Sequence, residues 1–338
     1  MAGRKKPRLL LAIETSCDET SAAVLEKGRI LSNIILSQDE IHSPYGGVVP
    51  ELASRQHIKS IDYVVKESLS QSDVRLQDID IFAVTQGPGL IGSLLVGLTF
   101  AKGLAYYFKR PLIGVDHLQA HIEASFLEND GIRFPVLALL VSGGHTSLYF
   151  LEKPLSYRLL GKTRDDAAGE CLDKVAKFLQ LGYPGGPVIE KQAKGGDARR
   201  FKFSLPRMKA SGYDFSFSGL KTAALKIIRE NGLNASHQLL SDFLASFEET
   251  VARALLENVH KALEEYRPAS LILCGGVARN TRLRTRFSEL AADYHLPAFI
   301  PSPRLCTDNA GMVGALAWKK YLSSAVSVTD LDLDAYPR

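Results

Sequence analysis

His117-Leu118-Gln119-Ala120-His121 sets two imidazoles four residues apart, and on a helix of 3.6 residues per turn that spacing brings both rings to one face. Such a pair can share a metal ion, but a catalytic site of this kind needs a third protein ligand from elsewhere in the chain and an open coordination position. The spacing is also that of two solvated or core-edge histidines. A metallopeptidase places Glu directly after the first His as its general base. Here that position is Leu118, which disfavours a zinc peptidase.

Two further segments have the chemistry of anion cradles. Leu140-Val141-Ser142-Gly143-Gly144 ends an apolar strand on paired glycines, where backbone N–H groups can approach a phosphate or carboxylate unobstructed, although the same pair also makes a plain hairpin turn. Cys274-Gly275-Gly276-Val277-Ala278-Arg279-Asn280 has the same form. It leads into a helix expected from Ala278 onward, whose N-terminal dipole favours phosphate and whose first turn lets Asn280 face a ligand. The run Asp165 to Lys174 reads as an acidic helix start, with Asp173 too far in to serve the helix dipole. Tyr183-Pro184-Gly185-Gly186-Pro187 is a rigid turn, and Glu190, one turn into the following helix, can accept from ribose hydroxyls. Arg279, Arg282 and Arg286 share a helical face, either solvated or a phosphate-contacting stripe.

The elements that must hold these residues can be read from hydrophobic periodicity. Leu9–Ile13, Ala22–Leu25 and Ile30–Leu36 read as strands, Glu51–Leu69 as a helix, Phe82–Thr85 as a strand, Gly92–Phe108 as a buried helix and Leu112–Val115 as a strand before the histidines. After a hinge at Asn129-Asp130-Gly131 the theme restarts with strands at Val136–Val141 and Thr146–Leu151. A long helix near Leu239–Tyr266, a strand at Leu271–Cys274 and a last helix at Asn309–Tyr321 follow. This is a repeat of architecture rather than of sequence. It predicts an α/β protein of two duplicated actin-like ATPase (RNase H-like) lobes with a nucleotide cleft between them. The first lobe would comprise 1–128, with 308–338 packing back onto it, and the second 129–307.

Bulk properties set limits on function. A chain of 338 residues exceeds the usual reach of one core. With 41 basic and 37 acidic residues the net charge is only +4, so any RNA contact must be local rather than a product of overall charge. Four cysteines scattered singly argue against a zinc knuckle or a disulfide framework and suit a reducing cytoplasm. The basic start around Lys5, Lys6 and Arg8 runs into only five apolar residues, too few for a signal peptide. No run reads as long enough to span a membrane.

In ordered blocks the chain resembles the bacterial tRNA N6-adenosine threonylcarbamoyltransferase family, TsaD type. These are Ile13 to Thr20, Gly46 to Arg55, Gly87-Pro88-Gly89-Leu90, His117-x3-His121, Leu140 to His145, Asp165 to Asp173, Tyr183 to Pro187, Phe215 to Thr222 and Thr307-Asp308-Asn309. The resemblance implies one divalent metal ion per subunit, Fe2+ ahead of Zn2+, held by His117, His121 and Asp308. It implies contacts to threonylcarbamoyl-adenylate from Leu140, Val141, Ser142, Gly143, Gly144, Asp173, Gly186, Glu190 and Asn280. It also implies tRNA as acceptor, a smaller paralogous TsaB-type subunit and a TsaE-type ATPase as partners, and no membrane. Asp18 and Glu19 are candidates for proton handling or for orienting tRNA. A small-molecule kinase, a non-catalytic paralogue and a glycoprotein endopeptidase are the alternatives. The first needs no His-x3-His pair, the second lacks metal residues, and Leu118 speaks against the third.

Overall fold

The computed structural model describes residues 8–204, 212–232, 237–323 and 334–337, so Lys5 and Lys6 lie outside the described residues. The chain divides into two units, Met1–Glu128 with Thr307–Arg338, and Asn129–Cys306.

In the first unit three strands, β1 (Leu9–Glu14), β2 (Glu19–Glu26) and β3 (Arg29–Ser37), form an antiparallel meander. The short helix α1 (Asp39–His42) and the long α2 (Pro50–Gln71) lead to β4 (Ile81–Gly87), α3 (Ile91–Phe108), β5 (Leu112–Asp116) and α4 (His117–Glu128). The sheet order is β3-β2-β1-β4-β5, with β4 and β5 parallel to β1. Every residue of β1 from Leu10 to Glu14 is buried, as expected of a central strand covered on both faces. Leu11, Ile13, Val24, Phe82 and Val84 pack against Ile61 and Val65 of α2 and Leu98 and Ala101 of α3.

In the second unit β6 (Val136–Val141), β7 (Thr146–Leu151) and β8 (Arg158–Lys162) are followed by α5 (Ala168–Phe178), α6 (Gly185–Gln192), α7 (Ser218–Asn231) and α8 (His237–Tyr266). Then come β9 (Ser270–Cys274), α9 (Thr281–Asp293), β10 (Ala298–Phe299) and α10 (Pro303–Cys306). Read from the outside, β8-β7-β6-β9-β10 repeats the first sheet's order, with the same antiparallel meander and the same two parallel strands.

The last helix, α11 (Ala310–Leu322), belongs to the first unit. Its contact face is built of small residues. A Cβ on Gly314 would lie 2.2 Å from Leu25 Cδ1 and one on Gly311 2.7 Å from Ile30 Cδ1, so glycine is what lets the helix reach the sheet. Its N-terminus is gripped from β2 and β3. Ala310 N–H donates to Ser21 Oγ (2.9 Å), Gly311 N–H donates to Asn33 Oδ1 (3.2 Å), and Asn309 caps Met312 N–H (3.1 Å).

Two sequence expectations need correction. The segment after β9 is not helical from Ala278: Gly276–Arg279 is a 3-10 turn and α9 starts at Thr281 with Asn280 as its N-cap. Helix α3, whose glycines and Lys102 break its apolar run, is long and apolar enough by length and composition to cross a membrane. Its Leu94, Gly97, Leu98, Ala101 and Ala105 are nonetheless buried.

Gly275 joins β9 to that turn at φ +91°, and a Cβ there would sit 2.4 Å from Val141 O, so both conformation and close backbone approach demand glycine. Gly275→Ala is expected to destabilise the protein by roughly 2 kcal/mol or more, read as a lower denaturant midpoint. A midpoint unchanged from wild type would refute this packing.

Candidate functional site

Helix α4 begins at the residue after β5, and Asp116, the last residue of the strand, caps it by accepting Gln119 N–H at 2.9 Å. That fixes the first turn, so His117 and His121 leave the helix on one face, ring centroids 4.7 Å apart and planes at 76°. Asp308, delivered by the gripped start of α11, completes the group. Its Oδ1 is 3.0 Å from His121 Nε2 and 3.6 Å from His117 Nε2, and one ligand atom from each of the three residues lies within 4.8 Å of the others.

Behind His117 stands Glu14, fully buried at the end of β1. Its Oε2 accepts from His117 Nδ1 (3.3 Å) and from Thr85 Oγ1 (2.5 Å), and its Oε1 accepts Ser16 N–H (2.5 Å). Ser16 Oγ also lies 3.2 Å from His117 Nδ1. A proton held on Nδ1 leaves Nε2 directed at Asp308, which is how a carboxylate orients a metal-ligating histidine. Burial alone would raise Glu14, yet the facing His117 outweighs it and the carboxyl titrates below its ordinary value. Burial would likewise lower His117, but Asp308 and Glu14 raise it to about 9.

The arrangement fits a metal ion. Metal–nitrogen and metal–oxygen bonds of about 2.0–2.2 Å need donors roughly 3 Å apart, and the two spacings to Asp308 Oδ1 have that scale. His121 is fully buried, and its Nδ1 has no hydrogen-bond partner among the described residues, while its Nε2 meets Asp308. Sequence reasoning missed Glu14, Ser16 and Thr85. The available signal was a charged residue closing a strand that is otherwise wholly apolar.

Asp18 and Glu19 lie where β2 begins, Asp18 buried and Glu19 half-buried. Glu19 is pushed well above the ordinary carboxylate range by burial and by the negative charge of Asp18 and Asp308.

The remaining predicted residues fall in the second unit: Leu140 to Gly144 at the end of β6, Asp173 on α5, Gly186 and Glu190 on α6, and Asn280 after β9. Ser142 to His145 close the β6–β7 hairpin, with Ser142 N–H on His145 O at 2.7 Å and His145 N–H on Ser142 Oγ at 3.1 Å. Asp173 Oδ1 accepts Gly185 N–H (2.7 Å) at the start of α6. Glu190 Oε1 accepts Thr281 N–H (3.1 Å) at the start of α9, and Asn280 Nδ2 lies 3.5 Å from Glu190 Oε2. Asn280 stands as the N-cap of α9 rather than inside its first turn: its Oδ1 caps Leu283 N–H at 2.9 Å and its Nδ2 donates to Glu248 Oε1. Hydrogen bonds thus join Asp173 to α6 and Glu190 to Asn280.

Gly143, Gly186 and Gly276 have ordinary backbone conformations. A Cβ at Gly143 or Gly276 would meet nothing within 4 Å, and one at Gly186 only Leu172 Cδ1 at 3.8 Å. Neither packing nor backbone conformation requires glycine at these three positions.

Two other sequence signals are absorbed by structure. Arg282 and Arg286 pair with Glu248, Glu249 and Glu289, while Arg279 lies in the 3-10 turn ahead of α9, so the three arginines do not share one helix. Asp165, two residues ahead of the N-cap of α5, accepts Phe217 and Ser218 N–H at the start of α7.

Residues 29–315 match the family model described as TsaD: tRNA N6-adenosine threonylcarbamoyltransferase. A protein of that name from Thermodesulfovibrio yellowstonii is 48% identical over 331 residues, covering 97% of this chain and 99% of the relative. One from Acaryochloris marina is 52% identical over 309 residues, covering 90% and 86%. Among solved structures, HypF from T. kodakarensis aligns at a TM-score of 0.62 and 16% identity, covering 97% of this chain and 49% of that one. The Acidaminococcus fermentans (R)-2-hydroxyglutaryl-CoA dehydratase component A aligns at 0.58 and 14%, covering 94% and 100%. At such identities the likeness is one of fold, the actin-like ATPase arrangement.

A raised His117 binds a proton in the folded, metal-free protein that the unfolded chain releases at about pH 6.5, so its stabilising effect is complete below pH 6.5 and disappears as pH rises through about 9. With chelator present, the melting temperature is expected to fall between pH 6.5 and 9 more steeply for wild type than for His117→Gln. The difference corresponds to at most ~3 kcal/mol. Parallel pH profiles for the two proteins would contradict the assigned charge state.

Proposed function

The chain belongs to the tRNA N6-adenosine threonylcarbamoyltransferase family, and from that premise we propose how its residues divide the work of the transfer. The enzyme moves the threonylcarbamoyl group from threonylcarbamoyl-adenylate to the N6 amine of the adenosine beside the anticodon of tRNAs reading ANN codons, releasing AMP. The amine forms a C–N bond to the carbamoyl carbon, the bond from that carbon to the phosphate oxygen breaks, and one proton leaves the nitrogen. Kinase chemistry is disfavoured, because the family's activity is acyl transfer and a phosphoryl transferase has no use for a two-histidine site.

His117, His121 and Asp308 would hold a divalent ion, and two imidazoles with one carboxylate is a donor set suited to Fe2+ and to Zn2+, with Fe2+ the proposed occupant. When bound, the ion supplies Lewis-acid polarisation of the carbamoyl carbonyl and an anchor for the threonyl moiety. Glu14 keeps Nε2 of His117 available as a ligand, and the observation that carries the assignment is this braced, convergent trio. Asp18 is proposed to accept the amine proton, with Glu19, whose carboxyl pKa is raised by burial and by the neighbouring Asp18, beside it to orient the acceptor base.

Adenylate recognition is assigned to Leu140 to Gly144, Asp173, Gly186, Glu190 and Asn280. The support is the set of glycines that the fold does not need: a side chain at Gly143 or Gly186 would enter space that the protein leaves open. The exposed apolar side chains of Ile58 on α2 and Ile91 and Leu95 on α3, 65%, 48% and 49% exposed, support docking of a smaller TsaB-type subunit. A TsaE-type ATPase is proposed as the second partner, and the cytoplasm as the location.

Two outcomes test this reading. Gly143→Ala should leave the melting temperature within about a degree of wild type yet weaken binding of a non-hydrolysable adenylate analogue tenfold or more by calorimetry. Equal affinity would remove the hairpin from the adenylate site. With adenylate, tRNA and partner proteins supplied, His121→Ala should lose both stoichiometric metal and transfer while remaining folded. Full transfer by a metal-free variant would overturn the metal's role.

A further inference from the structure

A chain of buried polar side chains runs through the first unit from the segment ahead of α2 to the turn between β1 and β2. Val49 N–H donates to His42 Nδ1 (3.2 Å), and His42 Nε2 meets Gln38 Oε1 (3.2 Å). Gln38 Nε2 then meets His57 Nδ1 (3.4 Å), and His57 Nε2 meets Cys17 O (2.9 Å). The ends fix every proton between them. A backbone N–H only donates and a carbonyl only accepts, so both histidines must be neutral with the proton on Nε2. Thr20 Oγ1, 2.8 Å from His57 Nδ1, shares that nitrogen's one lone pair with Gln38 Nε2 when its hydroxyl donates. His42, His57 and Gln38 are all buried, and burial pushes His57 below its ordinary value, in keeping with a neutral ring.

The turn at the end of this chain carries Ser16, and all three of its carbonyls are held from different elements. Ser16 O accepts Leu90 N–H (2.8 Å), Cys17 O accepts His57 Nε2–H, and Asp18 O accepts Gln38 N–H (3.1 Å). On its other side the turn presents Ser16 N–H to Glu14 and Ser16 Oγ to His117 Nδ1. Of the three groups holding the carbonyls, only His57 does so through a side chain that lacks a backbone alternative. We propose that His57 is a positioning residue for the metal centre: by fixing the Ser16-Cys17-Asp18 turn, it sets the contacts of Ser16 and Glu14 that aim His117 at the ion. The inference rests on His117, His121 and Asp308 being the ligands. Contacts behind a metal ligand typically change metal affinity by about 10–100-fold when removed, which sets the size of the effect.

The experiment is a competition titration of chelator-treated full-length protein with Co2+, following both affinity and the visible spectrum. Wild type, His57→Phe, His57→Gln and Val64→Ala are compared, the last trimming only the core of α2. His57→Phe should bind Co2+ at least tenfold more weakly and with a shifted spectrum. His57→Gln, whose amide can still reach Cys17 O, should recover most of the affinity, and Val64→Ala should match wild type. If wild type itself binds no Co2+, the ligand assignment fails rather than the role of His57. If wild type binds and His57→Phe binds equally, if His57→Gln is as weak as His57→Phe, or if Val64→Ala loses as much, the positioning role is overturned. Nitrogen NMR on the wild-type protein decides independently of any variant: an Nε2–H tautomer for His57 is required, and an Nδ1–H tautomer refutes the chain.

Discussion

The first unit's chemistry depends on one buried carboxylate. Glu14 closes β1 with no exposed surface, where an unpaired charge would be costly, and it is stabilised by a backbone N–H, a threonine hydroxyl and the His117 imidazole. Those bonds constrain their surroundings in turn. They require the turn after β1 to fold back so that Ser16 N–H points inward, β4 to offer Thr85, and β5 to end at the position that starts α4 on His117. The central strand and His117 are therefore joined by a bond that neither partner can give up cheaply.

The two units share one topology and put it to different uses. In each, a three-strand meander continues into two parallel strands, and turns that carry candidate site residues follow those strands. The first unit places donor atoms there: His117 follows β5 directly, and the grip of Ser21 and Asn33 on α11 brings Asp308 from far along the chain. The second unit places backbone there, with the hairpin after β6 and the 3-10 turn after β9 brought together by a glycine against Val141. Asp173 and Glu190 each serve the N-terminus of a neighbouring helix, so the acids assigned to ligand recognition also hold the local frame.

Periodicity made the repeat legible because most of its strands are buried, nearly uniform apolar runs. Val136–Val141 and Thr146–Leu151 are bounded where the pattern bounds them. The His-x3-His pair was legible because helix geometry alone puts i and i+4 on one face. Asp308 was not legible from spacing, since its place depends on where α11 docks, and only the family resemblance supplied it. Glu14 and the His42–Gln38–His57 chain escaped because their meaning lies in long-range contacts: His57 reads as one more polar residue on an amphipathic helix until its partner, Cys17, is known. The start of α9 was misplaced because the 3-10 turn at Gly276–Arg279 carries the same composition as a helical first turn, and only the capping bond of Asn280 to Leu283 separates them.

The central claim is that one ion is held by His117, His121 and Asp308, with Glu14 behind the first histidine. X-ray absorption spectroscopy of the anaerobically Fe2+-loaded wild-type protein tests it most directly. The account predicts a first shell of nitrogen and oxygen at about 2.0–2.2 Å with outer-shell scattering from two imidazoles and no sulfur contribution. A shell containing thiolate, or one lacking imidazole scattering, would contradict it.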